Sequence, residues 1–278
     1  MITLCRTCGT SYEGTPERCA ICEDERQYVP ASGQAWIDYA TVTATHANKW
    51  QQLEPQLFSI KTVPAFAINQ RALLLRTPYG NILWDCIANL DPATQTLIAA
   101  LGGLRAIAIS HPHYYTTMQE WAAAFDAPVY LHVSDSEWVM RDSPAIHFWE
   151  GDALEIVPSV TLLRLGGHFA GGTVLHWQEG EGVLLAGDIL QVTQGKRPCR
   201  SCGATRICFR CLPVRLRTLP GAWRENRSPV FTARSKGRTF RQTPMTSCSG
   251  RARNILLVSS EARWVNFASV ISIMQDRK

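Results

Sequence analysis

The stretch Ala106–His113 (AIAISHPH) joins an apolar run directly to two histidines that are separated by one proline. A short apolar run of this kind is typical of a buried strand, which would deliver His111 and His113 into the loop at its C-terminal end. Because Pro112 restricts the backbone between them, the two imidazoles can face one metal ion, and imidazole is a common zinc ligand. The segment therefore predicts a metal site at the end of a buried strand.

Two later segments repeat this organisation. His168 follows two glycines and the strand-like run 160–165, and Asp188 follows Gly187 and the apolar run 182–186. Strands that end at the same edge of a sheet share a cleft, so we expect these side chains to join His111 and His113. Together they predict a site for one zinc ion, with Asp188 as a fourth ligand or as the base that orients a water molecule.

The order of these motifs, His-x-His, then Gly-His, then Gly-Asp, resembles that of the metallo-β-lactamase superfamily of metallo-hydrolases. Leu83-Trp84-Asp85 matches the Asp-bearing strand that precedes the histidines in that family. The resemblance implies an α/β (α+β) fold, a metallo-β-lactamase-like αββα sandwich, over residues 61–195. It also implies hydrolysis of a small-molecule ester, thioester or phosphoester, whose identity these motifs do not specify.

One loop departs from the family pattern. The family's His-x-His-x-Asp-His becomes His111-Pro-His113-Tyr114-Tyr115-Thr116 in this chain. Neither Tyr115 nor Thr116 suits a divalent metal at neutral pH, since tyrosine titrates near ~10. We therefore expect one metal position at most, with Tyr115 in the place of the missing Asp, where its phenol either faces substrate or packs in the loop. Hydrolysis is then expected to be weak or absent, and the alternative is a non-catalytic binding or scaffold protein.

The N-terminus carries two Cys-x-x-Cys motifs, Cys5/Cys8 and Cys19/Cys22, with ten residues between them. Each motif aims two thiolates at one metal, and two motifs complete a closed tetrahedral shell. The spacing predicts a structural zinc site in residues 1–27, here called the knuckle, with rubredoxin-like iron as the alternative. A segment this small cannot build its own core, so metal binding would stabilise its fold. A closed shell has no open position for substrate, so we expect a structural role or docking to a protein partner.

The composition narrows the class of protein. The 278 residues are 46% hydrophobic, with no apolar run long enough to span a membrane and no signal peptide in view. A cytoplasmic location is expected, in which the ten cysteines would serve metal binding rather than disulfides. Residues 28–60 are predicted to form a linker and a helix over 39–53, and residues 64–68 a strand.

Residues 196–278 differ from the rest of the chain. They contain 18 lysines and arginines against 3 acidic residues, whereas residues 1–195 contain 10 against 20 and all seven histidines. The periodic apolar pattern also fades, so we predict a disordered basic tail and an incomplete sandwich. Back-translation in a shifted frame yields an ordinary protein segment, so we interpret this part as out of frame, with Cys199, Cys202, Cys208 and Cys211 not forming a metal site. A nucleic-acid-binding tail is the alternative, although it has no recognition motif.

Overall fold

The structure is a computed structural model that describes residues 1–179 and 182–189 in full and residues 256–259 as backbone. It contains two compact units. The first comprises Met1–Gly151 and His168–Thr173, and the second comprises Asp152–Gly167 and the described residues from Val174 onward. Within the described part of the chain, no helix has the length and apolarity needed to cross a membrane.

The first unit begins with a small sheet around the cysteines. Its strands are β1 (Ile2–Cys5), β2 (Ser11–Glu13) and β3 (Trp36–Asp38), in the order β2-β1-β3 and antiparallel, and a short helix α1 (Ala20–Glu23) lies between β2 and β3. The buried cluster of this segment consists of the four knuckle cysteines with Tyr12 and Ile21. Its interior is therefore mostly thiol, as expected for a segment that folds around a metal.

The main sheet of the first unit has seven strands in the order β10-β9-β8-β7-β6-β5-β4. They are β4 (Ala47–Glu54), β5 (Leu57–Val63), β6 (Arg71–Thr77), β7 (Gly80–Trp84), β8 (Ala106–Ala108), β9 (Val129–His132) and β10 (Ile146–Trp149). Strands β4 to β7 form an antiparallel meander, whereas β7 to β10 are parallel. The C-terminal ends of β7, β8 and β9 therefore meet at one edge of the sheet.

The parallel strands are connected by α3 (Pro92–Ala100) and α4 (Met118–Phe125) and by two 3-10 helices, Pro112–Tyr114 and Val133–Trp138. Helix α2 (Tyr39–Thr45) lies between β3 and β4. Asp91 caps α3 by accepting a hydrogen bond from the Thr94 N–H, with Pro92 in the first turn, which are the positions that these residue types favour at a helix start. Trp84 in β7 and Trp121 in α4 are fully buried, so both the sheet and the helices contribute to the core.

Two local predictions were wrong. The helix expected over 39–53 ends at Thr45, and Ala47–Glu54 is a strand instead. Side chains alternate along its first half, and the ring of Trp50 lies 6.4 Å from that of Phe58 in β5, so pairing with a neighbouring strand outweighs local helix propensity. The strand expected over 64–68 is a turn, in which Ala67 has a φ of 51°.

The second unit is a five-stranded sheet in the order β11-β12-β13-β14-β15. Its strands are β11 (Ala153–Val157), β12 (Val160–Arg164), β13 (Thr173–Trp177), β14 (Val183–Gly187) and β15 (Leu256–Ser259), and β15 pairs parallel with β14. Sheets with helical connections and a metal-ligand motif after β8 agree with the α/β (α+β), metallo-β-lactamase-like fold predicted from the motifs. Apart from β15, the predicted tail and its cysteines lie outside the described residues.

Candidate metal centres

A carboxylate at the end of β7 supports the loop that carries the first two histidines. The side chain of Asp85 accepts a hydrogen bond from the Ser110 N–H at 2.8 Å, and its own N–H donates to the carbonyl of Ala108 in β8. Asp85 has a φ of 62°, in the left-handed region that residues other than glycine adopt only occasionally. The Leu-Trp-Asp motif noted in the sequence thus holds the backbone immediately before His111.

The segment that carries the third histidine is tied to the same loop. The Thr173 N–H donates to the carbonyl of Ser110 at 2.9 Å, and the Gly171 N–H donates to the carboxylate of Asp135 at 2.6 Å. Asp135 follows β9 and is buried. The ends of β8 and β9 therefore fix the two sides of the loop around His168, which belongs to the first unit.

The three imidazoles converge, as predicted. Their candidate ligand nitrogens all lie within 4.8 Å of one another, and the ring centroids of His111, His113 and His168 are 4.9–5.1 Å apart in every pair. His168 Nε2 lies 3.4 Å from His113 Nδ1. Zn–N bonds of about 2.05 Å in a tetrahedral shell place two nitrogens about 3.3 Å apart. This separation fits two ligands of one ion better than a hydrogen bond.

The protonation state of the cluster also suits a metal. Burial lowers the pKa of His113 to about 3 and that of His168 to about 4, and it lowers the pKa of His111 well below its usual value. The rings are therefore neutral near pH 7, which is the form that binds metal. The hydroxyl of Ser110 lies 2.9 Å from His111 Nδ1, so Nε2 is the atom that His111 would offer. Nε2 of His113 is buried without a hydrogen-bond partner among the described residues.

Tyr115 lies in the core of the first unit. Only 4% of its surface is exposed, and its hydroxyl donates a long hydrogen bond of 3.5 Å to the carbonyl of Asp135. Burial raises the pKa of the phenol well above its usual value, so Tyr115 is a neutral donor at physiological pH. Asp188, the other predicted catalytic residue, belongs to the second unit and directly follows β14.

The four knuckle cysteines form a second group. All four are buried, and their sulfurs lie within 4.8 Å of one another. The Cys5–Cys22 and Cys8–Cys19 sulfur distances are 3.6 and 3.5 Å, close to the edge of about 3.8 Å that Zn–S bonds of about 2.3 Å require. The Tyr12 hydroxyl donates to the Cys19 sulfur at 3.2 Å. The donor set and its spacing fit a closed, four-sulfur metal site.

Hydrogen bonds among the four thiols shift their pKa values in opposite directions. Contact with Cys19 lowers the pKa of Cys5 and raises that of Cys22. A metal ion binds thiolates, so it would replace this uneven sharing of protons with four equivalent ligands.

Three residues that support the histidines were not singled out from the sequence. Asp135 holds the His168 loop, Gln70 contacts the His113 backbone, and Arg26 contacts the His168 backbone. Asp135 follows an apolar strand, which is the same sequence pattern from which Asp188 was predicted. Gln70 lies in the connection between β5 and β6 and Arg26 in a charged run after Cys22, and neither pattern distinguishes a buried contact from ordinary surface.

Comparison with known proteins identifies a relative in Bacillus subtilis. The chain is 50% identical over 197 residues to the uncharacterized protein YmaE of strain 168, in a match that covers 68% of this chain and 72% of YmaE. No family model matches the chain. Among solved structures, VMB-1 has a TM-score of 0.45 at 12% identity, covering 54% of this chain and 74% of VMB-1. The metallo-β-lactamase DIM-1 has a TM-score of 0.44 at 14% identity, covering 54% of this chain and 73% of DIM-1.

Proposed function

We propose that this chain, which belongs to the same protein family as YmaE of Bacillus subtilis, is a zinc-dependent hydrolase with a single metal position at the three histidines. The observation that carries the proposal is the convergence of three neutral imidazoles, with ligand atoms within 4.8 Å of one another, at the ends of buried elements. Three histidines with an open fourth position are the ligand set of catalytic rather than structural zinc.

In this proposal His111, His113 and His168 hold the ion. Zinc bound in this way lowers the pKa of a bound water and polarises a carbonyl or phosphoryl oxygen. Ser110 fixes the orientation of the His111 ring, and the buried loops exclude bulk water from the ligand atoms.

The proposed substrates are an ester, a thioester or a phosphoester, each of which has an oxygen that a metal can polarise. We expect turnover to be slow. Tyr115 and Thr116 occupy the positions at which the metallo-β-lactamase loop pattern has an Asp and a His. Among residues 1–179 and 182–189, the groups able to hold a metal are the three histidines and the four cysteines. A second ion would therefore not assist the reaction.

The placement of Tyr115 favours a second candidate, a non-catalytic binding protein. Its hydroxyl bonds to the Asp135 carbonyl and its ring packs in the core, so it supports the loop without supplying a base. In that case the knuckle would dock a protein partner and the histidine cluster would be a structural metal site.

Metal content and turnover distinguish the two candidates. We expect two metal ions per chain by elemental analysis, with one lost in His111→Ala and one in Cys22→Ser. The exposed His147 provides a matched control, His147→Ala, which should retain both. Slow hydrolysis of aryl esters, thioesters or phosphodiesters that disappears in His111→Ala supports the hydrolase. Two metals without any turnover would support the binding protein, and one metal, lost in Cys22→Ser, would refute the histidine site.

A further inference from the structure

We propose that the knuckle is a working part of the histidine site, and that Gln70 and Arg26 are positioning residues that couple the two. The metal affinity of the histidines would then depend on whether the knuckle holds its own metal. This inference rests on the proposed function, because it requires a metal at the histidines. All of the residues that carry it lie in the first unit.

Gln70 links the knuckle to the first two histidines. Its side-chain amide nitrogen donates to the carbonyl of Cys8 at 2.6 Å and to the carbonyl of His113 at 3.0 Å. Gln70 is 94% buried, so neither carbonyl can exchange this donor for water without a local opening. One side chain therefore fixes the distance between a knuckle ligand and a histidine ligand.

The backbone of the knuckle packs directly on the same loop. A Cβ at Gly9 would lie 3.3 Å from the Gln70 amide nitrogen and 3.5 Å from a methyl group of Thr116. The Ser11 hydroxyl donates to the Thr116 carbonyl. The turn after Cys8 is thus in contact with the segment that directly follows His113.

Arg26 makes the corresponding contact with the third histidine. Its guanidinium donates to the carbonyl of His168 at 3.0 Å and lies 4.0 Å from the centre of the Phe169 ring. Asp24 holds the guanidinium through two hydrogen bonds, at 2.5 and 2.6 Å. Because Asp24 and Arg26 follow Cys22 closely, the position of this ion pair depends on the second cysteine pair.

The knuckle can hold these contacts only while it is folded. Four of the six buried residues in its cluster are the cysteines themselves, so without a metal its interior offers little apolar packing. Loss of the knuckle metal would therefore release the carbonyls of His113 and His168 from Gln70 and Arg26. Linkage is reciprocal, so metal at the histidines would in turn tighten metal binding by the knuckle.

Cobalt(II) titration of the full chain, with zinc already bound in the knuckle, tests the coupling. Cobalt on nitrogen ligands gives visible d–d bands, whereas cobalt on four thiolates adds strong sulfur-to-metal charge-transfer bands, so the two sites are distinguishable. We expect Gln70→Met, which keeps the volume and removes both donors, to weaken cobalt binding at the histidines about tenfold. Arg26→Met should have a similar effect, and Arg26→Lys a smaller one because it keeps a donor.

Matched controls make the same changes on the surface. Gln52 is exposed and its amide donates to the Pro55 carbonyl, and Arg164 pairs with Asp152 outside the knuckle, with a side chain about as exposed as that of Arg26. Gln52→Met and Arg164→Met should leave the cobalt affinity unchanged. If Gln70→Met fails to fold, the two Arg26 variants decide the matter, since the Arg26 side chain is 31% exposed and tolerates replacement better.

The outcomes separate the inference from the proposed function. A wild-type protein without nitrogen-type cobalt bands would refute the proposed function, and the inference with it. A wild-type protein with those bands, and Gln70 and Arg26 variants that bind as tightly as the two controls, would overturn the coupling alone. Weaker binding in the Gln70 and Arg26 variants, with one zinc per chain still in the knuckle, supports it.

Discussion

The carboxylate of Asp135 accepts a hydrogen bond from the backbone N–H of Gly171 at 2.6 Å, three residues after His168. Asp135 is 98% buried, and its carbonyl also accepts the hydrogen bond from Tyr115. A residue that belongs to no metal-binding motif therefore holds the loop that presents the third histidine. When a contact that orients a metal ligand in this way is removed, metal affinity typically falls by about 10–100-fold.

Gly171→Ala tests this contact. A Cβ at position 171 would lie 2.8 Å from the carboxyl carbon of Asp135, closer than real side chains approach, so the carboxylate or the loop must move. We expect metal binding at the histidines to weaken at least about tenfold, while the knuckle keeps its metal. Cobalt titration measures the affinity, and the exposed neighbour provides the control Ala170→Ser. Unchanged affinity in Gly171→Ala would mean that His168 does not depend on Asp135.

The sequence was sufficient to predict what depends on local pattern. The apolar run before His111, the Asp91 cap and the two Cys-x-x-Cys turns each specify their structure within a few residues, and the structure agrees with all three. The expectation that all the ligand-bearing strands end at one edge of a single sheet was wrong, because His111 and His113 follow β8 of the seven-stranded sheet whereas His168 follows β12 of the five-stranded sheet. Hydrogen bonds to Ser110 and Asp135 hold the loop of His168 instead.

Contacts between distant segments could not be predicted in this way. Gln70 touches Cys8 and His113 across 62 and 43 residues of sequence, and nothing in the local sequence around Gln70 indicates those partners. Strand β4 is a similar case, since only its pairing with β5 shows that Ala47–Glu54 is extended rather than helical. Tertiary packing outweighs local propensity in such segments.

Removal of one knuckle ligand should change metal content as well as stability. We expect Cys22→Ser to lower the metal content from two ions to one and to make residues 1–27 sensitive to protease, because the metal supplies most of the folding energy of this segment. Cys86→Ser is the matched control, since Cys86 is a buried cysteine outside the knuckle. It should reduce the free energy of unfolding by about 1–3 kcal/mol and retain both metals. A loss of metal in Cys86→Ser would contradict this assignment.

The histidines should make the metal-free protein sensitive to acid. Burial lowers the pKa of His113 to about 3 and of His168 to about 4, from an ordinary value of 6.5. Between pH 6.5 and about 4 the unfolded chain binds protons that the folded chain does not, so the free energy of unfolding falls as the pH falls through this window. Urea unfolding at several pH values measures the slope, and His113→Asn should flatten it. The exposed His147→Asn should not, and equal slopes in both variants would argue against buried neutral imidazoles.

The change of composition near residue 196 makes a prediction about the gene. If the tail is out of frame, the DNA that encodes residues 190–215 should contain an insertion or deletion relative to the coding sequence of YmaE. Sequencing that region decides between a shifted frame and a basic segment that is native to the protein. An uninterrupted alignment of the two coding sequences would refute the shift and make Cys199, Cys202, Cys208 and Cys211 candidates for a further metal site.

Tyr115→Asp would restore the residue that the metallo-β-lactamase pattern has at this place, yet we expect it to destabilise the protein rather than add a metal. Tyr115 is 96% buried in the core cluster, so the change removes an aromatic ring, at a cost of about 3–5 kcal/mol, and buries a carboxylate in its place. Tyr115→Phe separates the two roles of the side chain, because it keeps the ring and loses only the hydrogen bond to Asp135, at about 0.5–1.5 kcal/mol.

Chemical unfolding and elemental analysis of both Tyr115 variants test this expectation. Tyr115→Phe should retain two metals with a slightly lower free energy of unfolding, and Tyr115→Asp should unfold readily without gaining a third. If Tyr115→Asp instead folds with the stability of Tyr115→Phe and binds an additional ion, position 115 faces the metal cluster rather than the core. A single substitution would then restore the Asp of the metallo-β-lactamase pattern. The packing of the core around position 115 would not prevent that Asp from binding a metal.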